Sequence, residues 1–230
     1  MSTTRNVLQL PWPDYAKCLK TQNGRPLRDA RYSPLALLSQ NSSRWSYLDE
    51  LEACQTAFRQ YSSFARIPQQ DRQRIAGTLT PPSDRWFGWM GAAGHFTSLV
   101  NNQPARLGNH LDKIPISGPL TNNDIQQYLF AILQLSGVGI ATATRLLSMK
   151  RPDYCLPLTR TNYDGIRNTP ILGQLCPSLS LNNTPQSIQR VVQQYIMMLN
   201  AIYRAPWWNS PTPIDPVEKK LHNGRVALLD

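Results

Sequence analysis

Apolar positions recur at spacings of three and four through most of this chain, and strict alternation is rare, so the pattern predicts helices throughout. Over residues 45–62, Trp45, Leu48, Leu51, Cys54, Phe58 and Tyr61 share one helical face. Residues 83–100 read as an aromatic-rich helix with a small-residue centre. Ile125, Leu129, Ile132 and Leu133 form the inward side of a helix over 124–134, and another covers 140–149. The clearest stripe lies in 185–203: Ile188, Val191, Val192, Tyr195, Ile196, Leu199 and Ile202 follow Thr184 as N-cap and Pro185 at the first helical position. Asp215, Pro216 and Glu218 mark the start of a last helix with a capping box. Pro, Gly and Asn gather between these runs, as in "NNQPARLGN", "ISGPLTNN" and "CPSLSLNNTP".

The expected fold is all-α, with two helical lobes around a cleft. Residues 1–100 make the first lobe, 101–123 connect, and 124–230 carry a helical hairpin and the C-terminal helices. At 230 residues the chain has enough length for a sizeable core.

Composition narrows the class. The chain is 41% hydrophobic with a mean hydropathy of −0.40, and no run of 18 or more apolar residues predicts a membrane partner. The first residues lack a charged start followed by an apolar core, so no signal peptide is expected and the location is cytoplasmic. Cys18, Cys54, Cys155 and Cys176 are widely spaced with no CxxC, which argues against a zinc ribbon or an iron–sulfur cluster and for reduced buried thiols. Lys and Arg total 24 against 14 acids, a net charge of +10, and nucleic acid is the first candidate partner for such a surface. The charge is dispersed, with no basic tail, so the fold must organise any such contact.

The stretch "LSGVGIATATRLL", Leu135–Leu147, supplies a means. Gly137 and Gly139 permit backbone conformations closed to other residues and let another backbone come close. The N–H groups of Gly139, Ile140 and Ala141 open the following helix, where unpaired donors and the helix dipole favour an anion. The turn has no charged side chain, so its grip would be a backbone contact to phosphate without base reading. Arg145, Lys150 and Arg151 lie just downstream and would add charge. The alternative is an ordinary αα-hairpin with a glycine turn.

"LQLSGVGIATATRLLSMKRPDYCLPL" resembles the helix-hairpin-helix motif of the DNA glycosylase superfamily, over roughly residues 124–165. The resemblance implies a grip on duplex DNA beside a flipped nucleotide. It requires no cofactor, but implies a monovalent cation, K+ or Na+, held by the carbonyls of Leu133, Leu135 and Val138. Two positions depart from the family pattern. Ala141 stands where lyase members have a Lys, so no Schiff base forms with the sugar and only base removal is expected. Thr159 stands where the family has its catalytic Asp, and a threonine carries no charge to stabilise an oxocarbenium-like sugar. Asp164 is the nearest downstream carboxylate; Thr159 and Asn162 are candidates to position water or to contact base or sugar. Asp153, upstream in a turn, reads as a solvated cap.

In "DRWFGWMGAAGHF", Trp86, Phe87 and Trp89 would stack a flipped base or fill its gap in the duplex, or else pack the core. His95 reads as a satisfied helix histidine, and "PWWN", Pro206–Asn209, as a structural plug. The expectation is thus a monofunctional glycosylase for a damaged or modified base. Bulky modified cytosines of phage DNA, removed in defence, are one substrate class by analogy within the superfamily. A silent relative that binds such DNA, and a structural helical protein, are the other readings.

Overall fold

The computed structural model describes residues 7–20, 47–79, 87, 89–158 and 185–229. Among them are nine α-helices and no strand: α1 (Trp12–Lys20), α2 (Tyr47–Gln60), α3 (Gln69–Ala76), α4 (Gly94–Asn102), α5 (Pro104–Leu111), α6 (Asn122–Ile132), α7 (Ile140–Lys150), α8 (Pro185–Ile202) and α9 (Pro216–Asn223). No described helix is long and apolar enough to cross a membrane.

The stripes predicted from spacing are the buried faces. Leu48, Leu51, Cys54 and Phe58 of α2, and Val191, Val192, Tyr195, Leu199 and Ile202 of α8, all face the core. Caps fix the starts of α6 and α9. The Thr121 hydroxyl accepts from Asp124 N–H at 3.2 Å while the Asp124 carboxylate accepts from Thr121 N–H at 2.9 Å. At α9 Asp215 accepts from Glu218 N–H at 2.8 Å as expected, and the Glu218 carboxylate accepts a bond from the Trp12 indole. The α9 end is thereby tied to α1, 206 residues earlier.

The 101–123 segment is more than a connector. It contains α5, whose Leu107 and Leu111 are fully buried, and buried residues on both sides of it belong to one core cluster. "PWWN" is the plug expected: Trp207 is fully buried, stacks on Tyr15 at 4.2 Å and donates to Val7 O. Cys54 and Cys155 are free and buried.

At the centre lies α7, packed against α2, α3 and α6. Every residue from Thr142 to Lys150 is buried. A helix enclosed on all sides is ordinarily apolar all round; this one carries five polar side chains, each with a partner. Thr142 bonds Gly139, Thr144 donates to Ile140 O, and Ser148 donates to Arg145 O. Arg145 and Lys150 are held as described below. At its C-terminus the Gln55 amide of α2 donates to Met149 O and Lys150 O at 2.6 and 2.9 Å, satisfying carbonyls the helix leaves open.

Candidate nucleic-acid interface at the helical hairpin

Between α6 and α7 the chain reverses within residues 133–139. Leu133 N–H donates to Leu129 O, Leu135 N–H to Ile132 O and Val138 N–H to Leu135 O, all at 3.0–3.1 Å. Val138 is fully buried and anchors the turn from inside, while Gln134, Ser136 and Gly137 face solvent.

The two glycines differ in kind. Gly137 has φ +86°, and a Cβ added there would sit 2.5 Å from His95 Cβ and 3.2 Å from Phe96 N. The fold itself requires glycine here, because the first turn of α4 presses on the hairpin. Gly139 has φ −103° and ψ 173°, open to any residue, and an added Cβ meets nothing within 4 Å. Nothing in the described fold explains a glycine at 139.

The donors are fewer than the sequence suggests. Gly139 N–H donates to the Thr142 hydroxyl at 3.0 Å, and that hydroxyl donates back to Gly139 O at 2.9 Å, so this N–H is occupied. Ile140 and Ala141 open α7 with N–H groups that have no acceptor within the helix. α4 begins beside them: its N-cap, Ala93, makes no side-chain cap, and Gly94 and His95 are exposed. Two helix N-termini therefore lie at the turn, each contributing the positive end of its dipole. The His95 side chain is exposed beside the turn, not tucked into the helix packing.

The three downstream cations are a correction. Arg145 is 1% exposed; its guanidinium donates to Ile75 O at 3.1 Å and Arg74 O at 2.9 Å and pairs with Glu50 at 3.2 Å. Lys150 is 6% exposed, donates to Leu111 O at 2.9 Å and lies 5.3 Å from the centre of the Phe58 ring. Burial holds its amine down at about 8. Arg151 is 1% exposed, donates to Pro115 O and Gly118 O, stacks on Tyr154 and binds both oxygens of Asp153. All three hold the interior together and none reaches a phosphate. Asp153 is accordingly half of an ion pair rather than a solvated cap.

The aromatic helix expected over 83–100 is also corrected, since α4 begins only at Gly94. Phe87 adopts φ 58° in a turn and is fully buried, so it is core and not a wedge. Trp89 lies outside any helix, folds over Gly91 and is 43% exposed, available to stack on a partner. Met90 N–H donates to Gly77 O and Ala93 N–H to Met90 O, a turn that leads directly into the exposed start of α4. Trp86, Thr159, Asn162 and Asp164 lie outside the described residues. The last described residue before Thr159, Leu158, donates its N–H to the Thr144 hydroxyl of α7 at 2.9 Å.

For a cation, the turn offers neutral oxygens. Leu135 O spends one lone pair on Val138 N–H, and no carboxylate takes part. Among the described residues no group of three or more His, Cys, Asp or Glu is placed to hold a metal. No protein-family model, curated protein or solved structure matches this chain.

Proposed function

We propose that this protein grips the backbone of duplex DNA with the Ser136–Ala141 turn and removes a damaged or modified base by hydrolysing its N-glycosidic bond, without cutting the sugar. The observation that carries the reading is the contrast between the two glycines. Gly137 is demanded by packing, whereas the half-buried Gly139 leaves open space at a helix start where a Cβ would meet nothing, which serves a partner's backbone and not this chain's. Ile140 and Ala141 N–H donate to one phosphate. The carbonyls of Leu133, Leu135 and Val138, a neutral donor set, suit K+ or Na+ better than a divalent ion, and the ion would supply the positive charge that the turn lacks. Trp89 stacks against the exposed base or its partner. Ala141 carries no amine, so the reaction stops at an abasic site. Asp164 is the candidate acid, with Thr159 and Asn162 as candidates to orient water.

The test is base release. DNA carrying bulky modified cytosines, incubated with the protein, should break only after alkali treatment. Full activity in Asp164→Asn removes that residue as the acid, and breaks before alkali contradict the absence of lyase chemistry. A second reading, a silent reader of modified DNA, is favoured by Thr159, which replaces a carboxylate with a neutral hydroxyl. Tight binding without any release selects it.

A further inference from the structure

A cleft of about 490 Å³ opens beyond the C-terminal end of α7. With 11 residues at 1.5 Å each, α7 places it about 16 Å from the hairpin turn. Its walls are α2, the 116–118 and 152–154 segments, and the end of α9 with the residues after it. The volume is that of a small-molecule site, and a duplex does not fit within it.

The charges lining it are unevenly matched. Both carboxylates are already neutralised: Glu52 by Lys220 at 2.7 Å, and Asp153 by Arg151 at 3.0 and 3.1 Å. Two guanidiniums bond no carboxylate among the described residues. Arg59, exposed on α2, makes no bond or ion pair among the described residues. Among the described residues Arg225 bonds through Nη1 alone, to His222 O at 2.8 Å and His222 Nδ1 at 3.4 Å, both neutral acceptors, and its Nε is buried with no partner. The guanidinium carbon sits 5.5 Å from the centre of the Trp208 ring. A buried donor without an acceptor costs free energy that the fold does not recover. Two planar forks that bond no carboxylate among the described residues, from different walls of one cleft, complement an oxyanion; Asp153 lies within electrostatic reach of Arg225 but is bonded to Arg151. Tyr154, Ile116 and Leu48 line the same space and would cover an organic body.

We infer that this cleft binds a small oxyanion-bearing molecule, a phosphate ester or a polycarboxylate, between Arg59 and Arg225, independently of the hairpin. The inference stands whether or not the hairpin binds DNA.

Calorimetric titration of the full chain with pyrophosphate and, separately, with citrate tests it. Saturable binding of either, with Kd below about 1 mM, is expected, and the tighter of the two identifies the source of the oxyanion. Arg59→Gln should weaken it at least about tenfold, or 1.4 kcal/mol, with little change in the melting temperature, because Arg59 is exposed and makes no hydrogen bond or ion pair among the described residues. Arg225→Gln should weaken it similarly, compared at a temperature where circular dichroism shows the variant folded. No saturable binding of either ion, or equal binding by Arg59→Gln, overturns the inference. Competition by a short duplex at equal phosphate concentration would also overturn it, because the site would then belong to DNA.

Discussion

Replacing each hairpin glycine by alanine separates what the fold needs from what a partner needs. At Gly137 the methyl group must enter a left-handed backbone conformation, at about 1–2 kcal/mol for an L residue. It also meets His95 Cβ at 2.5 Å, and the neighbouring atoms, His95 C at 3.1 Å and Phe96 N at 3.2 Å, are backbone that cannot swing aside. Moving the α4 start off the turn adds an overpacking cost of about 1–3 kcal/mol. Gly137→Ala should therefore lose about 2–5 kcal/mol. At Gly139 the backbone is already extended and the space is empty. Alanine there restricts the unfolded chain and should add about 0.4–1 kcal/mol. For a chain of this size each kcal/mol moves the midpoint by about 2–4 °C, so scanning calorimetry should find Gly137→Ala melting well below the wild type and Gly139→Ala at or slightly above it. Equal destabilisation of both variants would refute the reasoning, because it would make Gly139 a requirement of the fold as well.

Arg145→Met should destabilise the protein by about 3 kcal/mol in urea titration, since it removes the cation that pairs with Glu50 at 3.2 Å, a carboxylate only 3% exposed; DNA affinity per folded molecule should not change. Lys150 is held near 8 in the fold against 10.5 unfolded, so between those values the unfolded chain keeps a proton that the folded chain has released, and stability rises with pH. The difference in unfolding free energy between wild type and Lys150→Met should thus shift towards wild type by about 1 kcal/mol from pH 8 to 9, a window below that in which the buried Cys54 and Cys155 thiols, raised above 9.0, oppose it. His222 is held below 6.5, first by burial and then by Arg225, so the unfolded chain binds the extra proton and stability falls as pH drops through 6.5. His222→Gln should flatten that acid limb of the stability curve, measured from pH 7 to 5.

Much of the helical framework is legible in the sequence because it rests on local rules. α2, α6, α7, α8 and α9 lie where three-and-four spacing puts them, and Asp215–Pro216 start α9 as capping chemistry requires. α3, "QQDRQRIA", carries no apolar stripe. It is held because Arg72 is drawn inside to bond Val100 O, Ala65 O and Ile67 O, a partnership between distant segments that spacing does not reveal. α5 hides in an Asn- and Gly-rich stretch because Pro104 starts a helix there instead of ending one. The aromatic run before Gly94 has helical spacing but not helical backbone, as Phe87 at φ 58° shows.

The site follows the same division. The hairpin and its glycines are local features and were readable, but which glycine the fold demands depends on His95, more than forty residues away in sequence. Arg145, Lys150 and Arg151 follow the turn closely in sequence, but the packing around α7 buries all three. A signal of that burial was present: Lys150 lies four residues after Leu146 and three after Leu147, on the apolar face of its own helix. Arg59 and Arg225 were not readable as a pair, since only the docking of the C-terminal segment on α2 brings them to one cleft.

The most direct measurement is the affinity of wild type and Gly139→Gln for a fluorescent duplex, by anisotropy, from 50 to 200 mM salt. The account predicts that wild-type affinity falls linearly with the logarithm of salt. It also predicts that Gly139→Gln, as stable as wild type, binds at least about tenfold more weakly at every salt concentration with an unchanged slope, because a backbone contact and no cation has been lost. Equal affinities for the two proteins, or no salt-dependent binding by wild type, would contradict a hairpin that grips DNA.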